Sequence, residues 1–288
     1  MTRSRATFIG FSAILMWALL ALLTIGSAPV PPFLLNTVCF AMGGGIGLVW
    51  TWATGQGAAL RKVPLKVYTF GTLGLFGYHF LYFTAFRLSP SAETGLIAYL
   101  WPLFIVLLSG LLPGEKLTLP HILGALIAFA GAGLIVLGRE GGESNLTGML
   151  LAFGCAITWA VYSVASRFLG QVPTAAVAVY CLATAALSFL AHLALEQTVW
   201  PATPLGWAAT LALGLGPVGI AFFTWDVGMK KGDIQLLGVA SYAAPLLSTL
   251  ALVVAGIAPP SLLLLLAAVL IAGGAALAAR ASAKQRQA

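Results

Sequence analysis

The sequence predicts an all-α integral membrane protein, with ten transmembrane helices arranged as two inverted five-helix repeats. Three observations predict it. Hydrophobic residues make up 60% of the 288 residues and charged residues only 7%, with a mean hydropathy of +1.02. A soluble domain carries about 25% charged residues, so this chain has too few to cover a water-facing surface. Apolar runs of about 20 residues, the length a helix needs to cross the hydrocarbon core, occur ten times. Finally, a Tyr-x-x-Pro-Leu segment occurs twice, at Tyr99 to Leu103 and at Tyr242 to Leu246, 242 − 99 = 143 residues apart.

The first run, 6–25, follows Arg3 and Arg5. Basic residues before an apolar run resemble a signal peptide, but this run exceeds the 7–15 residues of a secretory core. Its Trp17 also pairs with Trp159 at an offset of 159 − 17 = 142, so it is read as a retained helix. The second run, 32–53, starts after Pro29, Pro31 and Pro32 and holds Gly43-Gly44-Gly45-x-Gly47, a small-residue helix interface. The third, 64–86, carries Gly71, Gly74, Tyr78, His79 and Tyr82. The fourth, 91–112, follows Ser89-Pro90 and carries the first Tyr-x-x-Pro-Leu copy. The fifth, 119–138, follows Pro113-Gly-Glu-Lys116 and contains Gly131-x-Gly133.

The stretch from Arg139 to Asn145 is the longest connection and divides the chain into units 1–140 and 145–288. The sixth run, 147–168, contains Trp159. The seventh, 174–195, is alanine-rich at 175–176 and 183–186. The eighth, 205–228, holds Gly214, Phe223 and Trp225. The ninth, 233–256, holds the second Tyr-x-x-Pro-Leu copy. The tenth, 260–279, follows Pro259-Pro260 and ends beyond Gly273-Gly274. The same 143-residue offset pairs Gly71 with Gly214, Phe80 with Phe223, Tyr82 with Trp225, Arg87 with Lys230 and Gly95 with Gly238. Barrel strands are excluded, because they alternate apolar and polar residues over about ten positions.

Basic residues set the orientation. With ten spans and a cytoplasmic N-terminus, 12 of the 14 Lys and Arg face the cytoplasm, including Arg3, Arg61, Lys116, Arg167, Lys230 and Arg280. Arg87 and Arg139 are the other two. The C-terminus is then also cytoplasmic. Each unit has an odd number of spans, so the second enters the membrane upside down, as in proteins with a site between inverted halves. The net charge of +7 comes from scattered residues and forms no nucleic-acid-binding stripe. Cys39, Cys155 and Cys181 lie inside spans without metal-ligand spacing, so neither a disulfide nor a metal is expected. No nucleotide-binding, zinc-hydrolase or nucleophile-elbow motif is present, so neither an enzyme nor a cofactor is expected.

Ionisable groups inside a bilayer are costly and point to function. His79 is the one strongly interior group, and it shares its helix with Tyr78 and Tyr82, which lie on one face four residues apart. Asp226 precedes Lys230 by four residues and reads as an ordinary surface pair. Tyr99 and Tyr242 each precede a mid-span proline, Pro102 or Pro245. Proline removes a helix hydrogen bond, which should free the carbonyls of Ala98 and Ser241 for a ligand and make both prolines hinges. Trp50, Trp52, Trp200 and Trp207 sit near span ends, as an interfacial belt requires. Trp17, Trp101 and Trp159 do not, and interior indoles need partners for their N–H groups. Core packing and substrate contact both remain open for these three.

Ten short-looped helices, two inverted units and a proline in the fourth span of each resemble the drug/metabolite transporter superfamily, in its EamA-type branch. The resemblance covers the whole chain. Within the branch, Gly77-Tyr-His-Phe-Leu-Tyr82 and Tyr99-Leu-Trp-Pro-Leu103 are similar to aromatic amino acid exporters. It implies an inner-membrane basket of helices with a central cavity, lined here by Tyr78, His79, Tyr82, Tyr99, Trp101, Trp225 and Tyr242, with Trp17 and Trp159 contributing. It also implies export of amino acids and related metabolites; with the inverted units, the expectation is a secondary transporter working by alternating access, a monomer in the lipid bilayer. The alternatives are export of another solute class, such as a drug, purine or sugar derivative, and a passive facilitator. The first span lacks the membrane glutamate of the superfamily's small drug exporters.

Overall fold

The computed structural model describes residues 1–89, 91–137, 145–257 and 259–287. Arg139, Glu140, Glu143 and the proposed unit boundary lie outside them. So do Pro90 and the side chains of Glu93 and Arg286. The described elements are helices joined by short turns. In order they are α1 (Arg3–Trp17), α2 (Leu20–Gly26), α3 (Pro32–Ala53), α4 (Gly57–Leu60), α5 (Leu65–Leu88), α6 (Ser91–Ala98), α7 (Trp101–Ser109), α8 (Leu119–Leu137), α9 (Leu146–Ala165), α10 (Ala176–Leu195), α11 (Pro204–Leu215), α12 (Ala221–Lys231), α13 (Ile234–Ala240), α14 (Ala243–Val254) and α15 (Leu262–Gln287). A π-helical turn, Gly216–Ile220, joins α11 to α12, and a 3₁₀ turn, Ser166–Leu169, ends α9.

Seven continuous or nearly continuous helices are long and apolar enough to cross a membrane. They are Arg3–Gly26, Pro32–Ala53, Leu146–Leu169, Ala176–Leu195, Pro204–Lys231, Ile234–Val254 and Leu262–Lys284. Thr94–Ser109 and Leu119–Leu134 are shorter apolar helices. The 24 residues of α5 match these in length, but Tyr68, Tyr78, His79 and Tyr82 make it more polar. This is a multi-pass membrane architecture, since a helix satisfies its backbone internally where lipid cannot.

Helix boundaries follow local chemistry. Pro31 and Pro32 open α3, with Pro at the first turn where no N–H partner is lost. The Asn145 side chain caps α9 by accepting from the Thr147 and Gly148 N–H groups. Asp233 caps α13 through Leu236 N. Glycines let neighbouring helices approach. A Cβ on Gly43 would meet Gly219 Cα at 2.7 Å, and one on Gly228 would meet Gly10 Cα at 2.7 Å. The small-residue interfaces expected at Gly43, Gly44, Gly47, Gly131 and Gly274 are therefore real contacts, whereas Gly45 and Gly273 face open space. Gly71 and Gly74 seat the rings of Tyr180 and Tyr162, drawing α5 against α10 and α9.

Two expectations are corrected. The Ser241 carbonyl is not free, because it accepts the Ala244 N–H at 3.0 Å. The chain closes a short turn at the proline instead of leaving a gap. The Asp226–Lys230 pair does form, at 2.9 Å, but it is no surface pair: Asp226 is 3% exposed and Lys230 6%. Thr174 Oγ1 donates to Asp226 at 2.7 Å, and Lys230 Nζ donates to the Val172 carbonyl at 3.1 Å. The turn entering α10 therefore folds over the pair and excludes water, which periodicity along α12 alone could not reveal.

Candidate functional site

Four tryptophans meet at the centre of the molecule. Trp17 ends α1, Trp101 opens α7, Trp159 lies on α9 and Trp225 on α12. Every pair is in ring contact. Trp17 lies 5.0 Å from Trp225, 5.8 Å from Trp159 and 6.2 Å from Trp101 between ring centroids. Trp101 lies 5.9 Å from Trp225 and 6.3 Å from Trp159, and Trp159 stacks on Trp225 at 6.3 Å. Most of these contacts are edge-to-face, the arrangement that ring quadrupoles favour.

Two of the four indole N–H groups have hydrogen-bond partners, as interior tryptophans favour. Trp225 Nε1 donates to Ser163 Oγ at 3.1 Å. Trp17 Nε1 donates to the Pro217 carbonyl at 3.0 Å. Pro217 belongs to the π turn between α11 and α12, so one hydrogen bond ties the end of α1 to an interruption in another helix. Such turns are frequent at functional sites.

Three helix breaks lie at this cluster, and a fourth lies beside Tyr242. One helix breaks just after Trp17, and another at Tyr99-Leu100, beside Trp101. A third breaks at Pro217, two turns before Trp225, and a fourth at Ser241-Tyr242. In a membrane, interrupted helices persist only where protein or a cavity satisfies the freed groups.

The aromatic wall extends along α5. Tyr78 contacts Trp159 at 5.2 Å and stacks on Tyr82 at 5.8 Å, and Tyr82 meets Phe86 at 4.5 Å. The Tyr78 hydroxyl engages the Cys155 thiol, and Tyr82 and Tyr99 lie within electrostatic reach of Tyr78. His79 faces Phe40 at 5.0 Å and Phe222 at 6.0 Å. Its Nδ1 is 2.7 Å from the Leu75 carbonyl. A carbonyl can only accept, so Nδ1 carries a proton and a neutral ring offers Nε2 as an acceptor. Trp101, Trp159 and Trp225 are buried, whereas Trp17, Tyr78, His79, Tyr82 and Tyr99 stay partly exposed. Among the described residues, the cluster presents ring faces, hydroxyls and one imidazole, and its members carry no fixed charge.

Seven of the nine residues that the sequence singled out for substrate contact thus belong to one set joined by ring contacts, and Tyr99 lies within electrostatic reach of it through Tyr78. Tyr242 stands apart. It is fully buried, packs on Phe129 at 5.9 Å, and its hydroxyl accepts the Leu103 N–H at 3.1 Å. Tyr242 thus joins the two Tyr-x-x-Pro-Leu segments to each other. Pro102 and Pro245 lie just inside α7 and α14, immediately after their breaks. The sequence reading missed Phe40, Phe222 and the π turn. The signal for the turn was present: Gly214, Gly216, Pro217 and Gly219 in one apolar run punctuate a helix more strongly than any single residue. Phe222 lies three residues before Trp225 and so shares its helix face. A cavity of about 490 Å³ lies to one side, between α1, α3 and α12, bounded by Ile9, Gly43, Trp50 and Phe223. It does not include the tryptophans.

Comparison with known proteins places this arrangement. The aromatic amino acid exporter YddG of Ancylobacter novellus is 55% identical over 265 residues, covering 91% of this chain and 92% of that protein. A protein of the same name from Salmonella typhimurium is 27% identical over 86% of this chain and 88% of its own. A crystal structure of a protein 54% identical in sequence superposes with a TM-score of 0.92, over 96% of this chain and 98% of that one. The model of the EamA-like transporter family matches twice, at residues 4–137 and 146–280. This chain belongs to the EamA-like transporter family.

Proposed function

We propose that the chain exports aromatic and other neutral amino acids across the bacterial inner membrane as a secondary transporter, working by alternating access. The observation that carries this reading is the tryptophan cluster. It takes Trp17 and Trp101 from the first half of the chain and Trp159 and Trp225 from the second, where three helices break. A site shared by two halves and flanked by hinges can be exposed to either side as the halves rock. Ring contacts are worth about 0.5–1.5 kcal/mol each beyond area burial. Two or three of them select a flat apolar side chain yet bind weakly enough for release. Hydroxyls of Tyr78, Tyr82 and Tyr99 and the His79 imidazole would meet the ammonium and carboxylate. Pro102 and Pro245 would mark hinge points, and the 55% identical relative, an aromatic amino acid exporter, supports the substrate class.

In this reading the chain is a monomer with ten spans in two inverted units, 1–140 and 145–288, and both termini are cytoplasmic. The two family matches and the one-sided placement of Lys and Arg support it. The test is reconstitution into liposomes with labelled phenylalanine, measuring saturable uptake and counterflow. The expected result is counterflow that His79→Ala, Tyr82→Ala and Tyr99→Ala each reduce at unchanged membrane levels. Unsaturable flux would support a passive pore, and wild-type rates from all three variants would reject the site.

A further inference from the structure

One end of the molecule carries a cluster of partly buried charges: the Arg3 side chain is 39% exposed, Arg167 19% and Glu115 9%. Glu115, in the turn between α7 and α8, bridges two arginines through its two oxygens. Its Oε2 accepts from Arg3 Nη2 at 2.9 Å, and its Oε1 from Arg167 Nη2 at 3.1 Å. Arg3 begins α1, and Arg167 lies in the 3₁₀ turn that ends α9. Arg167 also donates to the carbonyls of Lys230 and Gly232 at 3.0 and 2.8 Å, reaching the turn between α12 and α13. Arg3 lies 3.8 Å from Asp233 in that same turn, and Asp233 N donates to Thr7 Oγ1 at 2.8 Å. The buried Asp226–Lys230 pair lies beside this knot. The elements tied together, α1, α7, α9 and α12, are the four that supply the central tryptophans.

The other end is built differently. Its described ionic cluster of Arg87, His192 and Glu196 joins α5 to α10, and Glu196 also accepts from Phe33 and Leu34 N–H on α3. Among the described residues, this cluster ties none of the tryptophan-bearing helices. The partly exposed rings of Tyr78, Tyr82 and Phe86 lead from the centre toward Arg87.

We propose that Glu115, with Arg3 and Arg167, is the inner gate: an ionic latch that closes the end carrying the chain termini and must part to admit solute to the tryptophan cluster. Two physical features suit a gate better than a permanent staple. Ion pairs that are only partly buried gain little net energy over their hydrated partners, so exchanging them for water is feasible. The knot is also incompletely satisfied, since the buried Nε of both Arg3 and Arg167 has no protein partner. Calling this end the inner one rests on the transport reading and orientation given above.

The test uses full-length protein in nanodiscs with spin labels at Pro113 and Gln171, both exposed, on the α7–α8 and α9–α10 turns. Pulsed electron-resonance distances report the separation without any substrate. Glu115→Gln and Arg167→Gln are expected to shift the distribution toward a longer distance that is minor or absent without them. Glu115→Asp, which keeps the charge, is expected to retain most of the short distance. Unchanged distributions in both neutralised variants would overturn the latch. An equal shift in Glu115→Asp would also overturn it, because pairing of charge would then not be the cause. Size-exclusion profiles identify any variant that fails to fold, and the other neutralised variant then decides. A negative phenylalanine assay with a positive distance shift would defeat the substrate assignment and leave the latch standing.

Discussion

Replacing Trp17 with Phe removes one specific interaction from the centre of the molecule. The indole N–H to Pro217 carbonyl bond, at 3.0 Å, is lost. A six-membered ring remains to face Trp101, Trp159, Trp225 and Phe222. A neutral buried hydrogen bond contributes about 0.5–1.5 kcal/mol, and an acceptor left without a partner adds to that loss. A total of about 1–2 kcal/mol corresponds to a factor of roughly 5–30 in an equilibrium. The bond joins the end of α1 to the π turn, so the loss falls on the relative placement of two interrupted helices more than on folding. Initial counterflow of labelled phenylalanine in proteoliposomes should fall by about that factor, with the variant at wild-type levels in the membrane. Trp17→Ala additionally gives up four ring contacts of about 0.5–1.5 kcal/mol each and should lower the amount of folded protein as well. A wild-type transport rate in Trp17→Phe would refute the claim that this hydrogen bond positions the break.

Three other outcomes follow from the packing. Tyr242→Phe removes the partner of the half-buried Leu103 N–H, a penalty of about 1 kcal/mol. It should lower the melting temperature by several degrees while leaving the KM for phenylalanine unchanged; a raised KM at normal stability would restore Tyr242 to the binding site. Gly74→Val drives a side chain into the buried Tyr162 ring, which is stacked on Phe70. Folded protein should vanish from size-exclusion traces, and a normal yield would contradict the close α5–α9 contact. Trp225→Phe and Ser163→Ala each break the same 3.1 Å bond. Their effects on thermal stability should therefore be less than additive by about 1 kcal/mol, and strict additivity would dispute the bond.

The chain alone determined its solvent, its helical class and most members of the aromatic set. These are one-dimensional properties. Seven charged residues in every hundred force burial in lipid, and aromatics inside long apolar runs stand out wherever they later point. The 143-residue echo identified Tyr99 and Tyr242 as counterparts, yet their surroundings differ: one borders the tryptophans and the other clasps Leu103. A repeat fixes correspondence along the chain but not which face each copy presents to its neighbours. Likewise, spacing revealed that Asp226 and Lys230 share a helix face, but the loop at Val172 and Thr174 that buries them comes from 52 and 58 positions away. The Glu115 knot was invisible for the same reason, since its arginines lie 112 and 52 positions from it. Local pattern sets which residues can meet along one helix; only the packing of helices end to end decides which isolated charges become partners.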